Sequence, residues 1–415
     1  MILKSKNLLN NNKVVIENYL FMTVLQVLNS LFYLLIYPYL LRTLGKENYG
    51  HYVFGMSIVS YFISLVSFGF DFPAVKEIAK NPTNQSVKKH VISCVFTAKI
   101  YLEVISLVIF TLLIVLIPSL RQFWYIYAIL FANTLVNILF PIWFFQGIQK
   151  MRIVTYIQLA FKLLSLPFIF LFVLGPNDVV TFSLITTVFN VGGGLVATYM
   201  IVFNQKINIE WINFNELKVW YKDALPFFWS NAGAAIKQQS IAIIIGSYFN
   251  MADVALYDLA YKIISIPQIL FGSINGALFP KIANDGRKKI IKRIFQFETL
   301  AGLIVIFMVI VFGKWVVLLL GGSTMLGAYP IAIILSFGVL TLLLVGAYIS
   351  FIFVPQNKYY LVTQNQVVAF INFFSFTFLG LFLYKNVISI AIAWTLAGLF
   401  EIVYCKILIK RHQLF

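Results

Sequence analysis

The sequence is short of charge and of cysteine. Only 11% of its 415 residues are charged, against about 25% in an ordinary soluble domain, while 61% are hydrophobic. This composition excludes a water-soluble globule. The two cysteines, Cys94 and Cys405, lie far apart inside apolar runs, so they predict neither a disulfide framework nor a metal cluster. We interpret both as small core residues.

Catalytic motifs are also scarce. The three histidines, His51, His90 and His412, lie near predicted helix ends or in connections and form no cluster with carboxylates. Neither a metal site nor a general base can be assembled from them. A Gly-x-x-x-x-Gly-Lys loop for phosphate is absent from the sequence as well. We therefore predict no cofactor, no metal and no enzymatic activity.

Long apolar runs dominate the sequence instead. A spanning helix needs about 20 apolar residues, because the hydrocarbon core is about 30 Å thick and each helical residue rises about 1.5 Å. Twelve runs predict an all-α integral membrane protein, with the first run retained as a helix rather than cleaved as a signal peptide. The predicted helices are 18–41, 49–71, 91–117, 123–145, 153–174, 180–203, 223–248, 254–280, 295–320, 327–353, 363–384 and 387–409.

The basic residues orient these helices. Lysine and arginine accumulate in cytoplasmic connections. With the N-terminus in the cytoplasm, 22 of the 31 basic residues fall in inner connections and termini and only four in outer connections. Both termini are therefore predicted to be cytoplasmic. The net charge of +17 then reflects membrane topology, and no nucleic-acid partner is expected.

A polar connection divides the predicted helices into two sets of six. A faint repeat supports this division, because Tyr49 opens the second helix as Tyr257 opens the eighth, at a spacing of about 208 residues. Two repeated six-helix lobes are a common transporter plan. The predicted domains are an N-terminal lobe of residues 1–203, a cytoplasmic linker of residues 204–222 and a C-terminal lobe of residues 223–415.

Ionisable side chains inside the spans are candidate functional residues, because each costs about 2.5–3.5 kcal/mol to insert. Lys99 and Glu103 are four residues apart on one helix, and so are Asp258 and Lys262. Each pair can meet along a helix face, so both lysines are expected to be neutralised locally.

Two further lysines lie near the predicted bilayer midplane. Lys162 and Lys237 have no acidic residue three or four positions away, and they have the polar neighbours Gln158 and Gln238. We expect these lysines to face water or an anionic ligand. The alternative is that they extend to the membrane surface or pair with acids on other helices.

Three acids are candidates for ion coupling: Glu103, Asp71 and Asp258. Protonation would discharge a buried carboxylate, which makes Glu103 a candidate proton carrier, although its pairing with Lys99 is the simpler interpretation. Asp71, at the inner end of the second helix, is expected to cap that end or to pair with Lys76.

Four sequence blocks carry a family resemblance that runs from about residue 18 to about residue 295. They are Pro38–Gly45 with Asn48–Gly50, Gly69–Ala79, Asn137–Met151 and Ala277–Ile282. These blocks resemble the bacterial polysaccharide repeat-unit flippases, the O-antigen translocases of Wzx type, in the multidrug/oligosaccharidyl-lipid/polysaccharide exporter superfamily. Lys99, Lys162 and Lys262 match lysine positions of that family. Lys237 does not, and Asp71 and Lys76 stand where asparagine and arginine are more usual.

The resemblance implies a V-shaped fold of two lobes around a central cavity, which opens alternately to the two sides of a bacterial inner membrane. It implies movement of an undecaprenyl-pyrophosphate-linked oligosaccharide to the periplasmic leaflet. The expected partners are this lipid-linked oligosaccharide and membrane lipid, with a polysaccharide polymerase and a chain-length regulator as further candidates. The cavity residues expected to bind the pyrophosphate or acidic sugars are Lys162, Lys237, Lys99, Lys262, Gln158 and Gln238.

Two other functions remain open. A cation-coupled multidrug exporter of the same fold should favour acidic groups in its cavity, whereas lysines outnumber acids within these spans. A membrane-embedded polysaccharide polymerase or acyltransferase should have a large outer loop or a histidine-centred site, and the sequence has neither.

Overall fold

The computed structural model describes residues 2–284 and 288–414. It describes the side chains of all these residues except 2–16, 19–20, 27, 30–31, 33–34, 230–232, 234 and 272–284. Within these ranges the chain is helical and contains no strand. The helices are α1 (Ile2–Ser67), α2 (Asp71–Lys80), α3 (Gln85–Leu116), α4 (Pro118–Arg121), α5 (Trp124–Phe131), α6 (Val136–Leu139), α7 (Ile142–Gly147), α8 (Met151–Phe172), α9 (Val179–Tyr199), α10 (Phe214–Tyr248), α11 (Met251–Asn284), α12 (Lys288–Gly321), α13 (Ala328–Tyr348), α14 (Tyr359–Leu383) and α15 (Val387–Arg411).

Ten helical stretches among the described residues are long and apolar enough to cross a membrane. They are Leu35–Ser67, Gln85–Leu116, Trp124–Gly147, Met151–Phe172, Pro176–Asn204, Met251–Phe271, Lys288–Gly321, Ala328–Phe353, Tyr359–Leu383 and Val387–Arg411. Each overlaps a predicted helix, which confirms the all-α, multi-pass membrane architecture. The predicted helices 18–41 and 223–248 lie within α1 and α10 but are not among the ten, so the count of twelve stays a prediction.

One helix break agrees with the sequence prediction and a second departs from it. The first lies in the predicted connection between helices 18–41 and 49–71. Helix α1 is interrupted at Gly45, where φ is 73° and ψ is 166°, a backbone conformation that glycine adopts without a steric penalty. The predicted helix 123–145 consists of α5, a 3₁₀ turn, α6 and α7. Pro141 separates α6 from α7, because proline lacks the N–H that a continuing helix requires.

The contacts divide the chain into two compact units. Unit 1 comprises Met1–Ile36 and Gly55–Gln239. Phe70, Phe144 and Cys94 are fully buried in an apolar cluster of this unit. The stretch that precedes α10 lies against α3, where the backbone N–H groups of Glu210 and Ile212 donate to hydroxyl groups of that helix at 3.0 and 3.3 Å. Division into the lobes 1–203 and 223–415 with the linker 204–222 stays a prediction.

Unit 2 comprises Tyr37–Phe54 and Ser240–Phe415. Within this unit, helix α13 packs against α11, α12 and α15. Cys405 is fully buried there and, like Cys94, it is a free thiol, which confirms the interpretation of both cysteines as core residues. The packing of α13 on α15 is tight at Gly338, where a Cβ atom would lie 2.0 Å from the Trp394 ring. Small residues at such contacts let membrane helices approach closely.

Two glycines of α13 test this packing. Gly338→Ala should lower the free energy of unfolding by about 1–3 kcal/mol, because the added methyl group must displace the Trp394 ring. Gly346→Ala is the matched control, since its Cβ would meet nothing within 4 Å. Thermal unfolding in detergent measures both variants. Equal melting temperatures for the two would contradict the close contact.

Candidate functional site

Lys99 lies in unit 1, on α3, and is only 3% exposed. Its ammonium group donates to Asp71 Oδ1 at 3.1 Å and to the backbone oxygen of Asn137 at 3.2 Å. That oxygen is available because the residue four positions later is Pro141, which has no N–H to donate back. The helix break in the Asn137–Met151 block therefore supplies a hydrogen-bond acceptor for a buried lysine.

This arrangement corrects two predicted pairings. Lys99 pairs with Asp71 rather than with Glu103, and Asp71 pairs with Lys99 rather than with Lys76. The sequence spacing allowed the local pairs, but tertiary packing brings the first residue of α2 to a lysine 28 positions away. A lysine that precedes a glutamate by four residues is also the weaker order for a helical pair.

Glu103 faces the 3₁₀ turn that follows α5. Its Oε1 atom accepts a hydrogen bond from the hydroxyl group of Thr134 at 2.6 Å. Its Oε2 atom is buried and has no hydrogen-bond partner among the described residues. A buried carboxylate oxygen without a donor is costly, because it has lost water and gained nothing in return. A proton could bind at this atom.

Asp258 and Lys262 pair along α11 at 2.8 Å, as predicted. The hydroxyl groups of Tyr37 and Tyr49 donate to the same oxygen, Asp258 Oδ2, at 2.9 and 3.1 Å. Lys262 also donates to Tyr49 Oη at 2.7 Å and lies 4.3 Å from the centre of the Tyr37 ring. We call these four residues of unit 2 the Tyr–Asp–Lys cluster. Its carboxylate balances the lysine charge.

Lys162 is half-buried on α8 in unit 1. Its ammonium group donates to Asn29 Oδ1 at 2.5 Å and lies 5.3 Å from the centre of the Phe32 ring. The Asn29 amide holds the ammonium group without itself contributing a negative charge. Gln158 is half-buried one helical turn earlier.

Lys237 and Gln238 are also half-buried in unit 1, on α10. Six of the nine candidate residues have the side-chain partners described above: Lys99 with Asp71, Lys262 with Asp258, Lys162 with Asn29 and Glu103 with Thr134. That these nine residues bind substrate or couple ions stays a prediction.

A small cavity of unit 1 adjoins Lys99. Asn137, Trp143 and Thr198 contribute its other polar groups, and the rest of its wall is apolar. The Nε1–H group of Trp143 is buried without an acceptor among the described residues. Buried donors of this kind are usually satisfied by an ordered water molecule.

Sequence reasoning missed four groups that hold these charges: the hydroxyl groups of Tyr37 and Tyr49, the amide of Asn29 and the backbone oxygen of Asn137. A signal was present for two of them. Asn29 is a polar residue within a predicted apolar span, and a proline four residues after Asn137 predicts a free carbonyl group. Nothing local in the sequence indicates that the two tyrosines converge on Asp258.

Two curated proteins are similar to this chain. A candidate O-antigen transporter of Escherichia coli (strain K12) is 29% identical over 281 residues, which cover 66% of this chain and 67% of that protein. A protein of Shigella dysenteriae with the same description is 25% identical over 272 residues, which cover 64% of this chain and 67% of that protein.

Solved structures share the fold at low sequence identity. One is a multidrug resistance MATE family transporter of the MOP superfamily in an inward-facing conformation, with a TM-score of 0.70 and 12% identity over 92% of this chain and 95% of that one. Another is the lipid II flippase MurJ in an inward closed conformation, with a TM-score of 0.64 and 15% identity over 94% and 87% of the two chains.

The family assignment rests on a longer sequence match. The profile of the family described as polysaccharide biosynthesis protein matches residues 15–285, which is more than half of the chain. The matched region includes α2, α3, α8, α10 and α11, and therefore all nine candidate residues. The chain belongs to the polysaccharide biosynthesis protein family.

Proposed function

We propose that the protein is a flippase that moves an undecaprenyl-pyrophosphate-linked oligosaccharide repeat unit from the cytoplasmic to the periplasmic leaflet. Three findings support this proposal. The chain belongs to a polysaccharide biosynthesis family, its curated relatives are described as candidate O-antigen transporters, and its fold resembles a flippase of another lipid-linked molecule. On this proposal the membrane is the bacterial inner membrane, and both termini are cytoplasmic.

The observation that carries the proposal is the presence of lysines within helices long and apolar enough to cross a membrane: Lys99 on α3, Lys162 on α8 and Lys262 on α11. Lys237 lies on α10, within the predicted helix 223–248. Cationic side chains within a membrane are costly and usually line a transport path. A pyrophosphate that enters a low-dielectric region needs cations nearby, because it loses the water that stabilises its charge. Basic residues in a cavity would meet that need.

The four lysines would contribute unequally. Lys99 and Lys262 have carboxylate partners, Asp71 and Asp258, so their attraction for an anion is partly cancelled. Lys162 donates to the neutral amide of Asn29. We assign pyrophosphate binding to the half-buried ammonium groups of Lys162 and Lys237. Gln158 and Gln238 can donate hydrogen bonds to the sugars.

Alternating access completes the proposal. The lipid-linked sugar would enter a path open to the cytoplasm and leave it after that path has opened to the periplasm, while the prenyl tail stays in lipid. A polysaccharide polymerase and a chain-length regulator would act on the translocated unit.

Substitution of the lysines tests substrate binding. Lys162→Ala and Lys237→Ala should each lower translocation of the lipid-linked unit at least about tenfold, because a hydrogen-bonded charge pair contributes about 1.5–3 kcal/mol. Translocation is measured in proteoliposomes at matched protein levels. Lys162→Arg and Lys237→Arg are the controls, and they should retain most activity because the charge remains. Full translocation by both alanine variants would exclude these lysines from substrate binding.

Glu103 is the acid that we propose as the proton-coupling group, since one of its oxygens is buried without a hydrogen-bond donor. Asp71 and Asp258 each have a lysine partner and are weaker candidates. A carboxylate at Glu103 could take up a proton on one side of the membrane and release it on the other.

Glu103→Gln tests coupling separately from binding. The amide has nearly the same shape but cannot exchange a proton, so translocation should lose its response to an imposed pH gradient while binding of the lipid-linked unit persists. The measurement compares proteoliposomes with and without the gradient. Glu77→Gln, at an acid on α2 outside the ten spans, is the control and should respond as the wild type does. An unchanged gradient response in Glu103→Gln would exclude this role.

A cation-coupled multidrug exporter is the second candidate, because the structural match to a multidrug transporter has a TM-score of 0.70. The same proteoliposomes distinguish the two functions. Efflux of a cationic dye without translocation of a lipid-linked sugar would favour the exporter.

A further inference from the structure

A basic pocket lies in unit 2, and none of the nine candidate residues lines it. It is an open pocket of about 520 Å³ between α12, α15 and the end of α13. Its walls include three lysines, two aromatic rings and an amide: Lys292, Lys406, Lys410, Phe295, Tyr348 and Gln296. We call it the lysine pocket.

The three lysines bring positive charge to one place. Within the described part of the chain, none of them has a carboxylate within 4 Å. Lys406 and Lys410 are four residues apart on α15, where like charges repel each other. Lys292 adds a third charge from α12. An anion bound between the two helices would relieve this repulsion.

The floor of the pocket is apolar and well packed. The ring centres of Phe295 and Tyr348 lie 4.6 Å apart. The apolar cluster beneath them contains the buried residues Ile291 and Leu408. A segment of π-helix, Ile349–Phe353, follows Tyr348 at this point, and such segments are frequent at functional sites. The helices that carry the lysines, α12 and α15, are therefore packed together beneath the pocket.

Exposed apolar side chains continue from the pocket along both helices. On α12, Phe297 and Leu300 are exposed, and on α15 so are Val403 and Ile407. The predicted topology places the lysine ends of these helices at the cytoplasmic membrane surface. A ligand that fits both features has a phosphate group at the lysines and hydrocarbon chains along the helices.

We propose that the lysine pocket binds the headgroup of an anionic phospholipid of the cytoplasmic leaflet. Basic pockets between membrane helices on that side suit such headgroups, and charge-assisted hydrogen bonds from lysine to phosphate oxygens are strong. The bound lipid would be a resident of the membrane rather than the transported molecule, so the site is additional to the proposed flippase function and does not depend on it.

Native mass spectrometry of the full-length protein tests this site. Delipidated protein is titrated with phosphatidylglycerol, which is anionic, and with phosphatidylethanolamine, which is zwitterionic. The variant Lys292→Gln/Lys406→Gln/Lys410→Gln should bind phosphatidylglycerol about 100-fold more weakly than the wild type, since each lysine near an anionic surface contributes about fivefold. The wild type should prefer phosphatidylglycerol to phosphatidylethanolamine.

The matched control removes the same charge from unit 2 outside the pocket, with Lys289→Gln/Lys358→Gln/Arg411→Gln, and it should bind as the wild type does. A triple Lys→Arg variant of the pocket should also retain binding, which separates loss of charge from loss of fold. Equal weakening in the pocket and control variants would overturn the proposal. So would displacement of phosphatidylglycerol by inorganic phosphate at equal concentration, or a wild-type preference for prenyl pyrophosphate over phosphatidylglycerol at this pocket.

Discussion

A charge inside a lipid bilayer must be balanced by protein, because no water is available there to stabilise it. Much of the polar structure of this protein follows from that constraint. The ammonium group of Lys99 requires oxygens, and the fold provides a carboxylate from α2 and a backbone carbonyl from the end of α6. That carbonyl is free only because Pro141 cannot donate to it. The helix break at Pro141 therefore supplies a backbone oxygen that accepts a hydrogen bond from Lys99.

In unit 2 a lysine charge is balanced by a different set of groups. There a single helix supplies both charges, Asp258 and Lys262, and two tyrosines complete the arrangement by donating to the carboxylate. A carboxylate oxygen that accepts from three donors is fixed in position, so this cluster is a rigid element. Lys162 is the contrasting case, because its ammonium group is held by the neutral amide of Asn29. Carboxylates thus pair with two of the lysines, Lys99 and Lys262.

On these two proposals the protein binds two classes of anion at different depths in the membrane. The proposed transport substrate carries its pyrophosphate into the membrane region, where few charges suffice because the dielectric constant is low. The proposed resident lipid keeps its phosphate at the membrane surface, where three lysines with long flexible side chains are needed because water screens each of them. The contrast between half-buried lysines within the spans and exposed lysines at the ends of α12 and α15 matches this difference in depth.

The all-α, multi-pass membrane architecture could be predicted from the sequence, because the length of an apolar run depends on local composition alone. The sequence also predicted the Asp258–Lys262 pair, since residues four apart on a helix are neighbours whatever surrounds them. The same reasoning was wrong for Lys99 and Glu103, because spacing permits a contact without enforcing it. Only the tertiary structure could decide that Asp71 reaches Lys99, that Tyr37 and Tyr49 converge on Asp258, and that lysines of α12 and α15 share a pocket. Each of these contacts joins segments far apart in the chain, and their distances are set by how the helices pack rather than by any local pattern of residues.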